Sequence, residues 1–137
     1  RPPSFRPVVV TPRSFYPRYF MAPEVLQQDK FGRRSDIWSV GGVVLQMATT
    51  DPPWKCMKFS TPMALFYHVA STDKPPPMDQ YRLSPALRAF ILRCFDRDPE
   101  RRPHAVELRR DPFLLESAED HDDLQLDDTL QRIERVA

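Results

Sequence analysis

The side chains of this chain that could act as an imidazole base or as a thiol nucleophile are few: three histidines and two cysteines among 137 residues. His121 lies among acidic residues, and carboxylates beside an imidazole can in principle hold a metal ion. The same run has little apolar content, which favours an acidic, flexible tail over a metal centre. No Cys/His pair has zinc-site spacing, and no catalytic triad stands out. The acids flanking His121 are Glu119, Asp120, Asp122 and Asp123.

Composition is that of a single globular domain, with 41% hydrophobic and 28% charged residues. The net charge of +1 indicates no particular partner, and nucleic-acid binding would want more basic residues on a folded platform. No apolar run approaches the ~20 residues that span a bilayer, and no signal peptide is visible. Two cysteines cannot build a disulfide framework, and Cys94 is expected to be a buried apolar residue. We therefore expect a cytoplasmic protein without nucleic-acid or membrane partners.

Five or six helices and no convincing strand are predicted, so the expected fold class is mainly α. Thr61 and Ser84 each precede a proline, which is the signal for an N-cap followed by proline at the first helical position. Short helices are also expected over residues 23–27 and 104–110. The helix after Ser84 has one apolar face. Its members are Leu87, Phe90, Ile91, Cys94 and Phe95.

The most apolar helix is expected over residues 36–48, with Ser35 as its N-cap and Asp36 in its first turn. It is apolar on nearly all faces, which predicts a place in the interior of a protein. Gly41 and Gly42 each cost about 1 kcal/mol in a helix interior. Their presence therefore indicates close approach by a neighbouring element, or a kink.

The two ends differ from the middle of the chain. Residues 1–18 are rich in proline and basic side chains, and we predict an extended or disordered arm there. Phe113 and Leu114 offer an apolar plug before residues 116–137, an expected acidic linker followed by a short amphipathic helix. That helix is expected to be a lid on its own domain, and partner binding is the alternative. Its apolar positions are Leu126, Leu130, Ile133 and Ala137.

Three motifs occur in order along the middle of the chain. Residues 21–24 read M-A-P-E, residues 36–41 read D-I-W-S-V-G, and residues 98–103 read D-P-E-R-R-P. Their order, with helices between them, resembles the C-terminal lobe of protein kinases over about residues 19–115. The resemblance implies the helical C-lobe portion of a protein-kinase-like fold, incomplete because the N-lobe sheet is missing.

Finer detail resembles one branch of that family. The segments 19–25, 47–54 and 93–99 are similar to STE-type serine/threonine kinases, and most of all to MAP kinase kinase kinases. Such enzymes transfer the ATP γ-phosphoryl group to protein Ser or Thr. The implied partners are protein substrates or kinases of a MAP kinase cascade.

The resemblance also gives roles to individual residues. Glu24 would pair with Arg102 in a buried ion pair, Asp36 would accept N–H bonds from the catalytic loop, and Trp38 would pack beneath the Ala-Pro-Glu turn. A helix over residues 62–70 would present a substrate-docking face. The alternative is that these residues simply hold a helical core. The remaining structural residues are Ala22, Pro23 and Gly41, and the docking residues are Met63, Phe66 and Tyr67.

The family's catalytic and cofactor-binding motifs are not found in these residues. Phosphoryl transfer needs a Gly-rich loop, a strand lysine, a catalytic-loop Asp and Asn, and the Asp of Asp-Phe-Gly. The chain has three glycines that cannot form such a loop, no asparagine, and no His followed by Arg-Asp. We therefore expect no catalytic residue, no metal site and no cofactor in this chain, with ATP and Mg²⁺ implied only for a full-length parent. Pro17 stands where the family has threonine, so the resemblance is expected to stop near Arg18.

Two functional hypotheses follow. The first is a catalytically inactive fragment of a MAP kinase kinase kinase-like enzyme, supplying scaffold and docking helices. The second is a stand-alone, non-catalytic interaction or regulatory protein. Since nothing would cover the central helix, we also predict poor independent stability and aggregation.

Overall fold

A computed structural model describes residues 18–27 and 32–119, and within these ranges it contains helices and loops but no β-strand. Six α-helices lie there, which confirms the mainly α fold without an N-lobe sheet. A 3₁₀ turn at Lys55–Met57 separates the second helix from the third. The helices are α1 Pro23–Leu26, α2 Arg33–Thr49, α3 Pro62–Ser71, α4 Pro85–Cys94, α5 Ala105–Leu108 and α6 Pro112–Glu119.

The starts of α3 and α4 follow the predicted capping signals. The Thr61 hydroxyl accepts a hydrogen bond from the backbone N–H of Ala64 at 3.2 Å. The Ser84 hydroxyl accepts one from Leu87 at the same distance. In both helices a proline occupies the first position, where no intrahelical N–H partner is needed. Both predicted N-caps are confirmed.

The predicted start of α2 is wrong. The helix begins at Arg33 with Gly32 as its N-cap, so Ser35 is its third residue and not its cap. The Ser35 hydroxyl accepts from the Gly32 backbone N–H at 3.3 Å and donates to the Glu24 carboxylate at 2.9 Å. Ser35 therefore bonds to the carboxylate of Glu24, eleven residues away, instead of acting as the N-cap. A local sequence pattern does not indicate this partner.

Helices α2 and α4 form the main packing interface, and the two glycines of α2 make it possible. A Cβ added at Gly41 would lie 2.5 Å from the Cβ of Cys94. At Gly42 it would lie 2.7 Å from the Phe20 ring and 3.2 Å from Pro53. The predicted close approach by neighbouring elements is therefore confirmed at both positions.

Only one side of α2 is buried. Ile37, Trp38 and Leu45 belong to the core, together with the two glycines. Val40, Val43 and Met47 lie on the other side, with 40%, 49% and 79% of their surfaces exposed. The sequence predicted that the whole helix would be buried. Within the described residues, only one face of α2 is buried.

The C-terminal end departs from the predicted boundaries. Helix α5 is only four residues long, and the side chain of its N-cap, His104, makes no capping bond. Helix α6 continues to Glu119, so the predicted linker cannot begin at residue 116. The ring of Phe113 packs against that of Phe90 at 5.5 Å, which fixes α6 on α4. The predicted tail helix and the N-terminal arm up to residue 17 lie outside the described residues.

Candidate functional site

A buried ion pair joins the Ala-Pro-Glu turn to the loop before α5. Arg102 donates from Nη1 to Glu24 Oε1 at 2.7 Å and from Nη2 to Oε2 at 3.2 Å. The Arg102 side chain is fully buried, and that of Glu24 is 8% exposed. The two residues are 78 positions apart, so the pair fixes α1 to the C-terminal part of the described fold. The predicted Glu24–Arg102 pair is present, with the bidentate geometry favoured by a guanidinium and a carboxylate.

Further hydrogen bonds surround this pair. Arg102 also donates from Nε to the Asp96 carbonyl at 3.0 Å and from Nη1 to the Arg34 carbonyl at 2.7 Å. Burial alone would raise the pKa of Glu24, but hydrogen bonds from Arg102, the backbone and Ser35 bring it below its usual value. The carboxylate is therefore held in its charged form, which the buried guanidinium requires.

Trp38 packs against the Arg102 side chain of this network. Its side chain is fully buried, and its ring meets the Phe95 ring edge-on at 4.8 Å. The guanidinium carbons of Arg102 and Arg97 lie 5.2 and 5.3 Å from the indole centroid. Two cations against one indole place the aromatic residue in direct contact with the ion-pair network.

The other residues assigned by resemblance divide into buried and exposed positions. Ala22 and Pro23 are buried beside Glu24, and Gly41 lies at the contact between α2 and α4. Asp36 is exposed in the first turn of α2, and its carboxylate makes no hydrogen bond to any described residue. The contact predicted for Asp36, with a catalytic loop, stays a prediction.

Helix α3 presents an exposed face. Met63 and Tyr67, one turn apart, are 69% and 77% exposed. Phe66 is half-buried, and the guanidinium of Arg18 lies 5.2 Å from its ring centroid. Leu65 and Val69 turn inward and are fully buried. The helix is therefore anchored by one side and offers two large side chains on the other.

Several contacts were not predicted from the sequence. Arg97 lies in an Asp-Arg-Asp run typical of a solvated surface, yet it donates to the carbonyls of Val69 and Lys74 and packs on Trp38. Arg34 donates to the ring of His104, 70 residues away. These contacts depend on how distant loops meet, and no local pattern indicates them.

The described residues do not assemble a nucleophile or a metal centre. No group of three metal-ligating side chains occurs among them, and His121 with its adjoining acids Asp120, Asp122 and Asp123 lies outside them. Burial raises the pKa of the Cys94 thiol to about 12, so that thiol is an inert core group. Burial, and then the charge of Arg97, lower the pKa of His68, which packs between the rings of Trp54 and Phe59. The described helices include none long and apolar enough to cross a membrane.

Comparison with known families agrees with this architecture. The protein kinase domain family matches residues 9–114, which is most of the chain, and the chain belongs to that family. The match starts about ten residues before Arg18, so the sequence resemblance extends further towards the N-terminus than predicted.

Individual relatives identify the branch. The chain is 40% identical over 113 residues to mitogen-activated protein kinase kinase kinase A of Dictyostelium discoideum, covering 82% of this chain and 11% of the relative. It is 43% identical over 95 residues to human mitogen-activated protein kinase kinase kinase 1, covering 69% and 6%. It is 36% identical over 118 residues to the serine/threonine-protein kinase STE20 of Candida glabrata, covering 86% and 13%. The resemblance to STE-type kinases is confirmed, and the chain spans only a small part of the length of each relative.

Proposed function

We propose that this chain is the helical, protein-docking portion of a cytoplasmic MAP kinase kinase kinase-like enzyme. The whole enzyme would transfer the ATP γ-phosphoryl group to Ser or Thr of another protein kinase. The bidentate Glu24–Arg102 pair is the observation that carries this proposal. It holds the Ala-Pro-Glu turn rigidly against α2, so that the segment before the turn has a fixed attachment point.

The chemistry of transfer is assigned to residues that this sequence does not contain. Phosphoryl transfer depends on phosphates, Mg²⁺ and an attacking hydroxyl held in line. The 137 residues include no asparagine and no Asp-Phe-Gly, so they offer no ligand set of the kind that holds the metal in kinases. We therefore propose that the chain alone is catalytically inactive and binds neither ATP nor Mg²⁺ as a kinase does.

The exposed face of α3 is proposed as the contact for a protein substrate, a kinase of a MAP kinase cascade. Large side chains such as Met and Tyr, exposed on a rigid element, are typical of interface anchors. Met63 and Tyr67 occupy this position, and the buried side of the same helix fixes their backbone.

The proposal is tested with the purified chain and a purified MAP kinase kinase, by fluorescence titration with and without Mg-ATP. The Met63→Ala/Tyr67→Ala double variant should weaken binding about tenfold or more, because two anchor side chains are lost. Val106→Ala is the matched control, since Val106 is 65% exposed but lies on α5. Equal binding by all three proteins would refute docking through α3, and phosphate transfer by the chain alone would refute its inactivity.

A further inference from the structure

We propose that the contact between Arg34 and His104 is a pH-sensitive link beside the Glu24–Arg102 anchor. Arg34 Nη2 lies 2.7 Å from His104 Nε2. The two residues come from the first turn of α2 and the N-cap position of α5. The link is independent of the proposed docking role of α3.

The chemistry of the two side chains fixes the protonation state of this link. A guanidinium has only N–H donors, so the ring nitrogen facing it must accept through its lone pair. The His104 ring is therefore neutral in this arrangement, with its proton on Nδ1. When a proton from solvent binds Nε2, that nitrogen becomes a donor, and the hydrogen bond is replaced by two cations at contact distance.

The charges around His104 decide which way the link responds. Arg33 and Arg34 line the same cleft and oppose a positive ring. Glu100 also lines the cleft, but its side chain is 89% exposed and its carboxylate lies 3.9 Å from Arg34 Nη1. Glu107 accepts from the backbone N–H of His104 at 2.6 Å. The atom directly facing Nε2 belongs to an arginine, so protonation of the ring breaks the contact.

Arg34 connects this link to the anchor. Its Nη1 donates to the carbonyls of Pro99, at 2.7 Å, and of Glu100, and its own carbonyl accepts from Arg102. Loss of the His104 contact therefore loosens the start of α2 where α2 supports the buried ion pair.

The test compares thermal and denaturant unfolding of the full chain with that of His104→Gln at about pH 7.5 and pH 5.5. Glutamine keeps a neutral acceptor and does not titrate, so the ratio of the two unfolding constants removes the contributions of the other two histidines. The wild-type constant should rise about twofold to fivefold relative to the variant on acidification, which is the size of one exposed hydrogen bond. A ratio that is unchanged, or that falls, overturns the proposal.

The Arg34→Lys variant provides a second, independent test. It keeps the positive charge but loses the fork that reaches both the loop carbonyls and the ring, so its pH response should match that of His104→Gln. Should His104→Gln fail to fold, nitrogen chemical shifts of the wild-type imidazole decide the matter. The proposal requires an unprotonated Nε2 at neutral pH, and a protonated Nε2 there refutes it.

Discussion

The Arg102 side chain makes four hydrogen bonds within the described residues, and three of them reach residues distant in sequence. Two go to the Glu24 carboxylate and one to the Arg34 carbonyl, so a single guanidinium connects the Ala-Pro-Glu turn, α2 and the loop before α5. The net contribution of such a buried charged group to stability is often small, because the cost of desolvation offsets the attraction to its partner. Its removal should nevertheless be costly, because the carboxylate partner remains buried.

The first prediction concerns that removal. Arg102→Met should lower the free energy of unfolding by about 3–5 kcal/mol, since it strands the buried Glu24 charge. Denaturant unfolding of the chain measures the loss. Arg88→Met is the control, because the Arg88–Asp79 pair is largely exposed and should be worth about 1 kcal/mol or less. Equal losses in the two variants would show that the buried pair is not an anchor.

The second prediction concerns acid. Because the folded-state pKa of Glu24 lies below its usual value of 4.5, its stabilising contribution is present above that value and is lost as the pH falls through the folded-state pKa. On acidification from neutral pH, the wild type should therefore lose more of its free energy of unfolding than Glu24→Gln. The variant already has a lower free energy of unfolding at neutral pH. Parallel pH profiles for the two proteins would contradict this account.

At this scale the sequence predicted the ion pair but not its surroundings. Glu24 and Arg102 lie in two recognisable motifs, so their partnership could be inferred. Ser35 was mistaken for a helix cap because its real partner, Glu24, lies outside the local window. The contacts of Arg97 and of His104 likewise arise only when distant loops meet.

Helix α2 is the element on which the rest of the described fold depends, and its two glycines set how closely α4 and the Phe20 region approach. A glycine in a helix interior is unfavourable by itself by about 1 kcal/mol. Here the missing side chains allow contacts of 2.5 and 2.7 Å from the positions where Cβ atoms would be. The cost in helix propensity is offset by the closer packing.

The third prediction tests this trade. Gly41→Ala should destabilise the chain by about 1–3 kcal/mol despite the better helix propensity, because the new methyl would meet the Cβ of Cys94. Met47→Ala is the control, since it places an alanine on the same helix at a side chain that is 79% exposed. A Gly41→Ala chain that melts at the wild-type temperature or above would show that α4 can move away freely.

Elements with local start signals were predicted well, and elements set by packing were not. Thr61 and Ser84 cap their helices as expected, because an N-cap hydroxyl and the following proline act within one turn. Helix α6 extends to Glu119 although the sequence there is acidic, and its start is fixed on α4 through Phe113 and Phe90. Composition alone indicated a linker because the contact between Phe113 and Phe90 cannot be inferred from composition.

At the scale of the whole described fold, α2 carries an exposed apolar stripe. Val40, Val43 and Met47 are 40%, 49% and 79% exposed at helical spacing, opposite the face that packs on α4. Contiguous exposed apolar surface promotes association, so the predicted aggregation of the isolated chain stays a prediction that this stripe can test.

The fourth prediction follows from that stripe. Met47→Glu should reduce light scattering and raise the monomer fraction of the chain in size-exclusion chromatography, with little change in melting temperature because the side chain is exposed. Val106→Glu makes the same change of charge at a residue 65% exposed on α5, away from the stripe. If both variants improve the chain equally, net charge and not the α2 stripe governs aggregation.

The most direct test of the central claim is the size of the protein in its source, read with an antibody against residues 116–137. We propose that these residues belong to a longer MAP kinase kinase kinase-like enzyme that supplies the nucleotide site. We therefore expect a band far above the 16.0 kDa of this chain. A band at 16.0 kDa alone would contradict the account and would favour a stand-alone, non-catalytic binding protein.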